Sequence, residues 1–184
     1  MRTEVHVHGT AYICKGVSVS DIERALGPWL EYLDVEAIGE AKSLEPEEPG
    51  IEFDARERAL DICWTGEVGR SFHDTIAQTF QALGRLTESA SAIELTYYHQ
   101  NGDDEMQLLF VGPTPKAIHD AQRQLMIEDV EAVLGRHFGK PDIERVLGSV
   151  NELFDKDWTQ KEASGETENV SLESLPMPRG KHLH

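Results

Sequence analysis

Hydrophobic and polar positions alternate with a period of two over residues 3–14: Val5, Val7, Ala11 and Ile13 fall on one side, Glu4, His6, His8, Thr10 and Tyr12 on the other. Successive side chains of a strand point to opposite faces, so this stretch predicts a strand buried on one face only. The period then lengthens. Ile22, Ala25, Leu26, Trp29 and Leu33 recur at helical spacing behind Ser20 and Glu23, which stand three apart as in a capping box. Gly27-Pro28 is expected to break or restart this helix near its middle, because proline lacks the amide hydrogen that the helical ladder needs.

"EPEEPG" reads as a loop, and "IEFDA" and "ALDICWTG" as two short strands with Ile51, Phe53, Ile62 and Trp64 inward. A second helix starts at Ser71, with Asp74 completing the cap and Phe72, Ile76, Phe80 and Leu83 as its apolar stripe. "AIELTYYHQ" and "EMQLLFVG" flank "NGDD", and Asn-Gly tolerates the positive φ angles of a tight turn, so these two strands are expected to pair as a hairpin.

Thr114-Pro115 opens a long helix expected to run to Phe138 and to close at Gly139, with Ile118, Ala121, Leu125, Ile127, Val130, Leu134 and Phe138 as its stripe. A last amphipathic helix follows within 142–158, carrying Ile143, Val146, Leu147, Val150, Leu153, Phe154 and Trp158. Residues 159–184 are polar, small and proline-bearing, and are expected to form a flexible tail.

The resulting order, βαββαββαα, predicts an α+β fold. Its first six elements match the split βαβ, or ferredoxin-like, arrangement: an antiparallel sheet with helices on one face. The expected organisation is a sheet domain over 1–139, an amphipathic helix over 140–158 packed on that domain or on a partner, and a tail over 159–184.

Charge narrows the range of partners. The 184 residues carry a formal charge of −17, and Lys and Arg are scattered rather than clustered, so direct binding to nucleic acid is not expected. Carboxylates concentrate between Glu31 and Glu52, where Lys42 is the one basic residue. Glu36, Glu40, Glu45, Glu47 and Glu48 are therefore candidate contacts for a protein partner, together with Phe154 and Trp158 on the last helix. The two cysteines, Cys14 and Cys63, fall within predicted strands and have no disulfide spacing. No apolar stretch is long enough for a membrane span and no leader is visible, so a cytoplasmic setting without membrane association is expected.

Chemistry collects on the polar side of the first strand. With that strand central in a ferredoxin-like sheet, His6 and His8 lie beside Asp61 and Cys63 on one neighbour and beside Glu94, Thr96 and Tyr98 on the other. Imidazole, thiolate and carboxylate suit zinc or another divalent first-row metal, which makes His6, His8, Asp61, Cys63 and Glu94 a candidate ligand set. An H-x-H pair lacks the closing spacing of a zinc signature, so the default expectation is no cofactor and a polar sheet face, hydrated or covered by a subunit. Cys63 with either histidine lacks an orienting third group for nucleophilic catalysis. "TGEVGRS" before the second helix departs from a P-loop, with its second glycine too early and Arg70 in place of the lysine.

The function expected from these features is non-catalytic: an acidic binding or regulatory protein that acts through protein–protein contacts, by self-association or with a partner. Two alternatives stand beside it. One is a nucleic-acid-mimicking inhibitor of a basic host protein, and the other is a metal-dependent hydrolase centred on His6 and His8.

Overall fold

The structure is a computed structural model that describes residues 2–100, 102–167 and 177–178. Five antiparallel strands, β1 (Thr3–Tyr12), β2 (Gly50–Asp54), β3 (Ala59–Val68), β4 (Ser91–Tyr98) and β5 (Glu105–Val111), lie in the order β2-β3-β1-β4-β5. A two-residue strand, β6 (Met177–Pro178), pairs with Glu105 and Met106 at the β5 edge. Four α-helices complete the mixed α+β architecture: α1 (Val19–Tyr32), α2 (Phe72–Gly84), α3 (Pro115–Leu134) and α4 (Lys140–Ser164). The sheet differs from a ferredoxin-like order because β5, paired to β4 as expected, and β6, which was not expected, carry it on past β4.

The alternation in β1 has the expected consequence. Val5, Val7 and Ala11 are fully buried in one core with Leu60 and Ile62 of β3, Ile93 and Leu95 of β4, and the inner stripes of α1 and α2. Trp29 of α1 is fully buried in it, meeting Trp64, Phe72 and Phe80 edge-on at centroid separations of 5.4, 6.3 and 6.2 Å. Such edge-to-face contacts align the positive rim of one ring with the negative face of the next.

Several local expectations are corrected. The α1 cap is Ser18 with Asp21, not Ser20 with Glu23: the Ser18 hydroxyl accepts the Asp21 N–H at 3.2 Å, and the Asp21 carboxylate accepts the Ser18 N–H at 3.1 Å. Pro28 does not break α1. It leaves the Arg24 carbonyl without its helical donor, but the buried Ile22, Leu26, Trp29 and Leu30 hold both halves of the helix against the core. Ser71 precedes α2 as expected, with helical backbone angles and no side-chain cap.

The β4–β5 pairing ends at Tyr97 and Glu105, so the connection is longer than a two-residue Asn-Gly turn. Asn101 lies outside the described residues, and Gly102 holds φ at +78°. The long helix stops early. α3 ends at Leu134, a turn follows, and Gly139 caps the start of α4 rather than the end of α3. α4 continues past Trp158 to Ser164, where Gly165 takes the left-handed conformation that closes a helix. The rest of the stretch expected to be a tail, apart from Gly165–Thr167 and β6, lies outside the described residues.

The described chain divides into two compact units, one of residues 2–113 with 177–178, the other of residues 114–167. In the second, α3 and α4 form a helical hairpin. His119 of α3 is buried between Phe154 and Trp158 of α4, at ring separations of 5.3 and 5.0 Å, and its Nε2 lies 3.0 Å from Asp157. Of the seven residues expected along the α3 stripe, Ile118 alone is buried, and Phe138 is exposed.

Candidate functional site

The face of β1 turned away from α1 and α2 carries His6, His8 and Thr10. Register places Thr65 of β3 and Thr96 of β4 opposite His6, Cys63 and Glu94 opposite His8, and Asp61 opposite Thr10. The donor types expected to share this face therefore do share it. Side-chain geometry separates them into one cluster and several satisfied pairs.

Asp61 accepts the Thr10 hydroxyl at 2.6 Å, and Glu94 accepts the Thr96 hydroxyl at 3.1 Å. His8 is exposed and stacks on His6, with centroids 6.0 Å apart and planes inclined by 18°. The cluster is formed instead by His6, Cys63 and Glu48, each half-buried, whose potential donor atoms all lie within 4.8 Å of one another. His6 Nδ1 is 3.3 Å from Glu48 Oε1 and 2.9 Å from the Thr65 hydroxyl.

Glu48 reaches this face because its loop is fastened to β3. The Leu44 N–H donates to the Thr65 carbonyl at 2.8 Å, the Thr65 N–H donates to the Ser43 hydroxyl at 2.8 Å, and the Trp64 indole N–H donates to the Lys42 carbonyl at 3.1 Å. The Ser43 hydroxyl then donates to Glu48 Oε2 at 2.5 Å, which holds the carboxylate in place with Oε1 toward His6. Burial pushes the Cys63 thiol above its ordinary range, and the negative charge of Glu48 pushes it the same way. That direction is the reverse of what activates a cysteine nucleophile.

The remaining acidic candidates lie elsewhere. Glu36, Glu40, Glu45 and Glu47 are exposed, and the Glu36 N–H donates to the Glu40 carboxylate at 3.1 Å. Glu52, Asp54 and Asp61 bring three carboxylates to a shallow depression of about 520 Å³ beside β2. On the helical hairpin, Phe154 and Trp158 are half-buried against His119, while the Trp158 indole N–H donates to Glu162 at 2.7 Å and the Lys116 ammonium lies over its ring at 5.2 Å. The large apolar side chains left exposed on this hairpin are different ones: Met126, Val133, Phe138, Val146 and Leu153.

Sequence reasoning placed Glu48 in an acidic run and missed it as a neighbour of His6. No local spacing marks it, because the contact depends on how the loop folds back onto β3. The hydroxyls of Ser43 and Thr65, which orient Glu48 and His6, were missed for the same reason.

These features define an α+β protein with an extended antiparallel sheet, a helical hairpin and a mixed imidazole–thiol–carboxylate cluster on the sheet face away from α1 and α2. Residues 3–155 match a family of unknown function, DUF6806, and the chain belongs to that family. No curated protein and no solved structure matches the chain. Among the described residues, no helix is long and apolar enough to cross a membrane.

Proposed function

We propose that this chain is a non-catalytic binding protein that acts through protein–protein contacts, with the α3–α4 hairpin as its main contact surface and a second copy of the chain as the occupant. The observation that carries this reading is the exposure of large apolar side chains there: Val133 at 61%, Phe138 at 57% and Leu153 at 67%, joined by Met126 and Val146. A hairpin whose apolar side chains stay this exposed gains further stability by covering them, and self-association is the simplest route. Met126 and Val133 stand seven residues apart on α3, as do Val146 and Leu153 on α4, a spacing suited to packing along a partner helix.

The exposed carboxylates Glu36, Glu40, Glu45 and Glu47 supply an acidic face that repels nucleic acid and favours a basic protein surface. The sheet is read as an elaborated ferredoxin-like arrangement, supported by β1 lying between β3 and β4 with α1 and α2 sharing one core. A cytoplasmic setting is supported by the two cysteines, both free thiols.

Sedimentation equilibrium of the full chain tests the reading. The wild type is expected to associate, and Val133→Glu and Leu153→Glu are each expected to shift the equilibrium toward monomer while leaving the circular dichroism spectrum unchanged. A wild type that stays monomeric throughout the micromolar range, or folded variants that associate as well as it does, would overturn the proposal.

A further inference from the structure

The geometry points to a binding site for a divalent first-row metal ion of borderline softness, such as Zn²⁺, formed by His6 of β1, Cys63 of β3 and Glu48 of the loop before β2. It is independent of the hairpin reading, since all three residues belong to the sheet unit. Three different donor types, from three separate segments, converge until their donor atoms lie within 4.8 Å.

Ligand type selects the ion. Ca²⁺ and Mg²⁺ prefer all-oxygen shells, whereas a thiolate and an imidazole on one centre favour zinc and its neighbours. Ligand bonds of about 2.0–2.3 Å in a tetrahedron place donor atoms roughly 3.3–3.8 Å apart. The 3.3 Å between His6 Nδ1 and Glu48 Oε1 is already one such edge. The other spacings in the cluster, none above 4.8 Å, have to shorten by at most about 1 Å to reach that range.

The surroundings of Glu48 match what a metal ligand needs. Metal-bound carboxylates and imidazoles are commonly held by further hydrogen bonds that fix their orientation. Here the Ser43 hydroxyl holds one oxygen of Glu48, while the Thr65 hydroxyl lies on His6 Nδ1, the nitrogen that faces Glu48, so the incoming ion would displace that contact. The Ser43 hydroxyl is itself fixed by accepting the Thr65 N–H. The ion would replace the thiol proton of Cys63, and its charge would offset the repulsion between that sulfur and Glu48.

The neighbouring candidates stay outside this set. Asp61 and Glu94 are satisfied by Thr10 and Thr96, and His8 is stacked beside His6. Three protein ligands therefore leave a fourth position for water or an incoming donor, as in metal sites that bind exogenous ligands. Occupancy would also tie the 41–49 loop to β1 and β3 through bonds stronger than the existing hydrogen bonds.

The test uses the full chain purified without an affinity tag and titrated with Co²⁺, a spectroscopic stand-in for Zn²⁺. One equivalent is expected to produce a near-ultraviolet sulfur-to-metal charge-transfer band together with visible bands of four-coordinate intensity. Added Zn²⁺ should bleach both. Zn²⁺ should also protect Cys63, but not Cys14, from alkylation, as read by peptide mass spectrometry. Cys63→Ser should lose the charge-transfer band, and Glu48→Gln should weaken binding at least about tenfold, with Cys14→Ser unchanged.

A paired substitution of His182 and His184 by Ala should leave the spectrum intact. The proposal is overturned if the wild type shows no sulfur band, if folded Cys63→Ser keeps it, if Glu48→Gln binds as tightly as the wild type, or if the terminal histidines account for the binding.

Discussion

Trp29 shows how much a single side chain carries in this sheet unit. It is fully buried and touches Trp64, Phe72 and Phe80, so it joins both helices to the sheet at one point. Trp29→Ala is expected to cost about 3–5 kcal/mol, measured by urea unfolding followed through the remaining tryptophans. Gly66 is critical for the opposite reason: a Cβ there would lie 2.2 Å from the Trp64 ring. Gly66→Ala should therefore destabilise by about 1–3 kcal/mol through forced displacement of that ring, in the same assay. The inward place of Trp29 was legible from helical spacing. That of Gly66 was not, since its constraint is the orientation of an indole two residues away. His6 and Cys63 were legible as neighbours because alternation and strand order suffice to place them on one face. Glu48 was not, because it arrives from a loop.

At the scale of elements, helix ends and helix pairs carry the testable content. The Ser18–Asp21 box satisfies amides that would otherwise lack partners at the start of α1. Ser18→Ala is expected to lower stability by about 1 kcal/mol, whereas Ser20→Ala should leave it nearly unchanged, and thermal melts of the two variants check the reassigned cap. The serine two residues downstream fitted the capping rule equally well by spacing.

In α4, the Asp157 carboxylate is held below its ordinary range, first by its hydrogen bond to the Lys161 ammonium and also by the bond to His119. A depressed carboxylate contributes stability that is complete above its unfolded value near 3.8 and is lost as pH falls through the lower folded value. Helicity followed by circular dichroism from about pH 5 to about pH 2 should therefore fall less steeply in Asp157→Asn than in the wild type. Pro28 makes a related point about α1: the local rule against proline inside a helix was overridden by the burial of Leu26, Trp29 and Leu30 around it.

At the scale of the whole molecule, charge and apolar exposure oppose each other. Two copies that each carry a formal charge of −17 repel one another, so association through Met126, Val133 and Leu153 should strengthen as salt screens that repulsion. Sedimentation equilibrium at low and at physiological ionic strength checks the sign. Contacts made mainly through the exposed carboxylates with a basic partner would weaken over the same range.

Much of this organisation was readable from the chain alone. The period-two run in β1, the stripes of α1 and α2, and the paired β4 and β5 follow from local periodicity, which is set by backbone geometry and the burial of apolar groups. They decided the α+β class and the shared face of His6, His8, Cys63 and Glu94. Other features needed the tertiary structure. The continuity of α1 through Pro28, the extension of the sheet by β6, and the folding of Glu48 onto β3 all depend on contacts between residues distant in sequence. Such contacts leave no period to read, because their energy comes from packing and hydrogen bonds that exist only once the chain has folded.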